Sequence, residues 1–252
     1  MTAYEQVLQA RAPRPYSTRT LIAGIVSDFQ ECRGDRVHQD DSAIIGGIGW
    51  LDQRPVTVIA TTKGETLPER LATHGGCPEP WGYRKALRLM RQAEKFHRPI
   101  ITLIDTPGAY PGKEAEANGQ AAAIADLLLA VSTLQTPLVA VIVGEGGSGG
   151  ALALACGDEV WMAAQSMYAI LSPEGFASIL FKDVTKAEAA AALMGLTPKE
   201  LLANQVVERV LPEAGRQFPT MLKTALIPTI ARLAAMPTAT LLAQRQARFR
   251  RY

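Results

Sequence analysis

The chain has 252 residues, 48% hydrophobic and 20% charged, enough apolar surface for one large globular domain. A net charge of +2 gives no electrostatic case for a nucleic-acid partner, and no apolar run nears the length of a membrane span. Cys32, Cys77 and Cys156 are far apart and odd in number, which argues against a Cys-x-x-Cys metal pair or a disulfide framework and suits a reducing cytoplasm.

In chain order, residues 1–20 read as a polar lead-in broken by Pro13 and Pro15, without the features of a signal peptide. Residues 20–29 read as a short helix. Residues 43–50 and 54–62 read as strands joined by a hairpin at Leu51-Asp52-Gln53. Residues 63–82 hold three prolines and four glycines and read as a loop. A helix follows over residues 83–96. Tyr83, Leu87, Met90 and Phe96 lie near one face, and Arg84, Lys85, Arg88, Arg91 and Lys95 dominate the rest. That basic face reads as solvated, with a partner or anionic ligand as the sharper alternative.

Residues 99–104 read as a buried strand. The stiff turn Asp105-Thr106-Pro107-Gly108-Ala109-Tyr110-Pro111-Gly112 follows, then one long helix over residues 114–134 with the stripe Ile124, Leu127, Leu128, Val131 and Leu134. The same grammar then repeats: an apolar run over 137–143, a turn at Gly144-Glu145-Gly146-Gly147-Ser148-Gly149-Gly150, and a helix start. Strands are expected over 159–164 and 167–171. Ser172-Pro173 reads as a helix start, and Thr197-Pro198-Lys199-Glu200 as a capping box. A last short strand is expected over 205–211, and helices over 217–235 and 241–252. The final segment, 237–252, is basic, with Arg245, Arg248, Arg250 and Arg251. No linker divides the chain, so it reads as one domain over 1–252.

The glycine run holds five glycines in seven residues. A turn without β-carbons lets backbone approach a ligand, and the first N–H groups of the next helix lack internal partners. Such a place can bind a phosphate or hold an oxyanion formed during reaction. In parallel α/β sheets, ligands sit beyond the carboxyl ends of the strands, where both turns lie. The run is not a P-loop, because no Lys follows its last glycine. It fits Gly-x-Gly-x-x-Gly, but Ala164 and Gln165 stand where an acidic ribose ligand belongs. Ser148 sits inside Gly-x-Ser-x-Gly, yet His38, His74 and His97 all precede it, which speaks against an elbow-type Ser-His triad. His97 reads as a surface or C-cap residue. Lys63 reads as a solvated strand end or a neutraliser of an anion. Glu145 reads as a structural residue, with orientation of the turn by accepting its backbone N–H bonds as the sharper alternative.

Several motifs in this order resemble the α subunit of the carboxyltransferase of bacterial acetyl-CoA carboxylase. They are Asp28-Phe29 with Gly34-Asp35-Arg36; the run from Asp40-Asp41-Ser42 to Gly47; Lys63-Gly64; and the run from Gly82-Tyr83-Arg84-Lys85 to Met90. The Asp105 turn, the glycine run and Ser172-Pro173-Glu174-Gly175 complete the set. The resemblance runs from about Pro15 to about Pro212. It implies an α/β fold of the crotonase-like (ClpP-like) kind, a superhelix of β-β-α units. It implies transfer of carboxylate from carboxybiotin, carried on the biotin carboxyl carrier protein, to acetyl-CoA, giving malonyl-CoA for fatty acid synthesis. It implies an α2β2 heterotetramer whose β subunit carries a zinc ribbon, with no metal in this chain, and a separate biotin carboxylase in the same complex. No membrane or nucleic-acid partner is implied, and the location is cytoplasmic.

The resemblance places oxyanion donors on the N–H groups of Gly146 and Gly147, to which Gly108 and Ala109 are added. Gly144, Glu145, Ser148, Lys63 and Tyr110 are expected around the bound group. A β-branched residue at Gly147 is expected to fill the space of the reacting oxygen and leave the fold intact. Thr61-Thr62 precede Lys63 where many members carry His-Gln, and Asn118 replaces a usual basic residue; these departures bear on substrate detail and partner choice. The alternatives are another crotonase-type acyl-CoA enzyme, such as a hydratase or a propionyl-CoA carboxyltransferase; a Ser-Lys peptidase using Ser148 and Lys63; and a non-catalytic scaffold completing a partner's site.

Overall fold

The computed structural model describes residues 1–251; Tyr252, the end of the expected last helix, lies outside the described residues. The frame is one eight-stranded sheet. β1 (Ser27–Glu31) and β2 (Ile44–Leu51) are antiparallel, and β2 turns through Asp52-Gln53 into β3 (Arg54–Thr61). Asp52 sits at φ 55, the left-handed geometry that a two-residue hairpin favours. From β3 the sheet is parallel through β4 (Ile100–Thr106), β5 (Leu138–Gly147), β6 (Glu159–Ala163) and β8 (Arg209–Leu211). The short β7 (Met167–Ala169) pairs with the far end of β5.

β5 has ten residues, all buried. Its side chains alternate between two cores, as a strand inside a parallel sheet requires. Leu138, Ala140 and Ile142 face α4 (Pro80–Lys95), α6 (Gln120–Thr133) and α7 (Ser148–Ala155). Val139, Val141 and Val143 face α2 (Thr18–Ile25) and α11 (Phe218–Ala234). The first half of β5 pairs with β6, and the second half, Glu145 to Gly147, pairs with β7. The remaining helices are α1 (Ala3–Arg11), α3 (Leu67–Ala72), α5 (Lys113–Ala117), α8 (Pro173–Phe181), α9 (Ala187–Met194), α10 (Pro198–Ala203) and α12 (Thr238–Phe249).

Several expectations are corrected. The lead-in is not irregular: Thr2 and Glu5 form a capping box that starts α1. The helix expected over 20–29 ends at Ile25, and its tail is β1. The loop over 63–82 holds α3, started by a second capping box at Thr66 and Glu69. The long helix over 114–134 is two helices, because Gly119 adopts φ 83 and resets the chain. α9 was not expected at all, and the last strand begins only at Arg209. The basic face of α4 is not simply solvated. Lys85 is buried and donates to Asp40 Oδ1 at 2.5 Å and the Asp41 carbonyl at 2.8 Å. Arg84 donates to Asp35 at 2.8 Å, and Arg88 to the carbonyls of Gly34 and Cys32. The face clamps the loop between β1 and β2. The basic end of the chain is likewise partly internal, since Arg245 and Arg248 are buried.

Candidate active site

The glycine run is not a turn. β5 continues through Gly147, which caps α7 with extended backbone, and Ser148 is already helical. Strand passes to helix at one residue. Ser148 takes the strain of that corner at φ 53 and stands exposed. The first N–H groups of α7, on Ser148, Gly149 and Gly150, have no partner within the helix and add to the donors available here.

The spacing of the glycines has a packing cause. Gly144, Gly147 and Gly150 lie three apart and face the end of β4 and the segment after it. A Cβ on Gly144 would collide with the Asp105 carboxylate, one on Gly147 with the Pro107 carbonyl, and one on Gly150 with the Ala109 nitrogen and the Tyr83 hydroxyl. Gly146 lies in the ladder between Thr106 of β4 and Tyr168 of β7. At Gly149 an added Cβ would meet no atom within 4 Å. Three glycines let the two segments touch, and this fourth stands beside open space. The expectation for Gly147 is therefore corrected: a side chain there strikes Pro107, not the space above the site.

The Asp105 turn and the glycine strand are thus brought together, as their positions after adjacent strands require. Gly108 adopts φ 145, and its N–H is donated to Thr106 Oγ1 at 3.1 Å. Gly108 is therefore not a free donor, and of that pair the reading rests on Ala109, beside Gly150. Tyr110 is held by its N–H to the Pro78 carbonyl at 2.9 Å, and its ring stacks on His74 with centroids 3.8 Å apart.

Behind the strand end lies a cluster of five charged side chains. Lys63 Nζ donates to Glu145 Oε2 at 2.6 Å and lies 2.8 Å from Asp105 Oδ1. Asp105 Oδ1 also accepts the Glu145 N–H at 2.9 Å. Arg11 Nε donates to Glu145 Oε1 at 2.9 Å, and its two terminal nitrogens donate to Glu174 at 2.7 and 3.1 Å. Burial alone would lower the Lys63 ammonium, but Asp105 and Glu145 outweigh it and hold its pKa above the ordinary value. The hydrogen bonds from Arg11 hold Glu174 down at about 2. Two earlier readings fail here. Lys63 is no solvated strand end, and its charge is already matched by two carboxylates. Glu145 accepts from Arg11 and Lys63 side chains, not from the backbone of its own turn. A cleft of about 850 Å³ opens over this cluster: Arg11, Lys63 and Asp105 line it together with residues 12–18 and Gly64, and none of the run 144–150 does.

Among the described residues no hydrogen bond joins Ser148 to Lys63, so the Ser-Lys alternative lacks its base. Arg11 was missed. Its partners lie 134 and 163 residues away in sequence, and the only local signals were the capping box that starts its helix and Pro13 just past the helix end. Exposed Leu152, Ile170, Ile179, Leu180, Val184 and Leu193 belong to the segments that leave the strand end, α7 to α9. No single helix among the described residues is long and apolar enough to cross a membrane.

The sheet, its flanking helices and the glycine strand end define a crotonase-like carboxyltransferase fold. A transcarboxylase 12S subunit solved with methylmalonyl-coenzyme A has the same fold, with a TM-score of 0.74 and 20% identity, covering 90% of this chain and 43% of that one. So does a subunit of the Pseudomonas malonate decarboxylase hetero-dimer, with a TM-score of 0.66 and 20% identity, covering 87% of both. The family described as acetyl co-enzyme A carboxylase carboxyltransferase-like matches residues 1–252. The acetyl-coenzyme A carboxylase carboxyl transferase subunit alpha of Streptococcus pneumoniae (strain Hungary19A-6) is 51% identical over 249 residues, 98% of each chain. The chain belongs to the family of acetyl-CoA carboxylase carboxyltransferase alpha subunits.

Proposed function

We propose that this chain supplies the carboxyl-donor half of a cytoplasmic acetyl-CoA carboxyltransferase. It works with a zinc-ribbon β subunit in an α2β2 assembly and meets carboxybiotin on a carrier protein charged by a separate biotin carboxylase. The observation that carries this reading is the open corner at Ser148 and Gly149, where main-chain N–H groups gather beside the Ala109 turn. Bound there, carboxybiotin would supply the carboxyl group for transfer, and one of its oxygens gains negative charge as it does so. The corner fits such an oxygen, because its donors are backbone groups fixed by packing and no side chain stands in the way. The chain's own part is to hold that oxygen and exclude water. A nucleophile is not needed. Exposed apolar side chains around the strand end support a partner subunit lying over it, which would close the site.

The test is to purify the chain alone and with its β subunit and follow malonyl-CoA. The isolated chain is expected to be inactive, and mixing to restore transfer. Robust turnover by the chain alone would overturn the proposal and favour a self-sufficient enzyme.

A further inference from the structure

Glycine peptide planes turn easily, since no side chain holds them, yet an oxyanion donor works only when its direction is fixed beforehand. Gly146 and Gly147 have no side chain to fix them and are held by ladder pairing with Thr106, Tyr168 and Ala169. Glu145, the residue before them, is held by both its main chain and its side chain. Its N–H goes to Asp105 Oδ1 at 2.9 Å. The same oxygen lies 2.8 Å from Lys63 Nζ, and Lys63 returns to Glu145 Oε2 at 2.6 Å. This closes a ring through the ends of β3, β4 and β5. The other carboxylate oxygen of Glu145 is taken by Arg11 at 2.9 Å, and Arg11 is itself gripped by both oxygens of Glu174. The Glu145 side chain, where the contacts meet, is only 8% exposed.

We propose that Lys63, Glu145 and Arg11 are positioning residues that aim the main-chain donors of the glycine strand end. Lys63 and Arg11 touch neither substrate nor the reacting oxygen. They act through Glu145. The proposal rests on the reading that this strand end carries the donors. It differs from the sequence alternative for Lys63 that set its ammonium against a bound anion.

The prediction is a loss in kcat and not in KM. Misplacing a reacting geometry by about an ångström can cost about a hundredfold, so Lys63→Met and Glu145→Gln should each lower kcat by about 10- to 100-fold in the assembled complex. KM for acetyl-CoA and for free carboxybiotin should stay within about threefold. The double variant should lose no more than the worse single, because both act through one ring. Lys63→Arg, which keeps the charge, should recover most of the rate. Measurements are made well below the melting temperature of each assembled variant; if Lys63→Met does not assemble, Lys63→Arg and Glu145→Gln decide the question. A raised KM for carboxybiotin with unchanged kcat would make Lys63 a ligand contact and overturn the proposal. So would multiplied losses in the double variant, or kcat within twofold of wild type in both singles. Gly149→Val is the control for the underlying reading. If it transfers normally, the donor reading falls; if it is dead while Lys63→Met is fully active, only the positioning role falls.

Discussion

β5 is pinned at both ends by the same device, a carboxylate that accepts a strand N–H and is held by a cation, yet the two ends differ. At the amino end Asp158 Oδ2 accepts the Leu138 N–H at 2.8 Å, and Arg245 of α12 grips both Asp158 oxygens at 2.8 Å. The three remaining N–H donors of Arg245 go to the carbonyls of Val131, Leu134 and Thr136. All five donors of that guanidinium are used, and the pair is 1% and 4% exposed. At the carboxyl end Asp105 accepts the Glu145 N–H, but its cation Lys63 is shared with Glu145 and the pair is 25% and 20% exposed. One end is saturated and closed. The other is shared among chain segments and adjoins an open corner. The saturated end serves stability, and the shared end is where geometry is set for chemistry.

The sharpest way to break the contrast is Arg245→Met. It strands Asp158 and three carbonyls without their cation, and breaking a buried pair in this way costs about 3–5 kcal/mol. Denaturant unfolding should show that loss, while the kcat of the folded fraction stays at wild-type level. A fall in kcat with unchanged stability would erase the distinction between the ends. Next comes Gly149→Val. Its side chain enters open space, so the melting temperature should stay within a few degrees while transfer falls about a hundredfold, roughly 3 kcal/mol of lost stabilisation. Gly147→Val should do the reverse first, failing to fold locally or to assemble, because its Cβ meets the Pro107 carbonyl.

A smaller effect is expected from Ser148→Ala. A serine nucleophile would lose several orders of magnitude on removal, whereas a corner residue should keep activity within about fivefold. Steady-state kinetics on the assembled variant separates the two. The smallest effect is the acid response of the Arg11–Glu174 pair. The Glu174 carboxyl lies at about 2 in the fold against an ordinary 4.5. Its stabilisation is therefore fully present above about pH 4.5 and is lost as pH falls through about 2. Melting curves across that window should slope less for Glu174→Gln than for wild type. The pair is partly exposed, so the slope is modest.

Much of the frame was legible in the residues. Apolar runs before the two turns mark β4 and β5, and the capping box at Thr197 and Glu200 marks α10. The same box at Thr2 and at Thr66 was passed over, because prolines and polar residues around it look like loop. Glycine is a poor strand former, so Gly144 to Gly147 read as a turn; only the neighbour across the sheet, the Asp105–Ala109 segment, explains why strand there must lack side chains. The candidate donors could be named from the family resemblance that the motifs carry. The ring that holds them could not, since it joins residues 11, 63, 105, 145 and 174, and no local pattern relates such distant charges.

The meeting of Gly144, Gly147 and Gly150 with the Asp105–Ala109 segment has a consequence for inhibition. A compound that reads only main-chain groups at this corner contacts atoms that no substitution other than proline can remove. Enlarging Gly144, Gly147 or Gly150 to evict it would first push the two segments apart. Among these glycines only Gly149 has open space for a new side chain, and there it stands in the way of the substrate as much as of the drug.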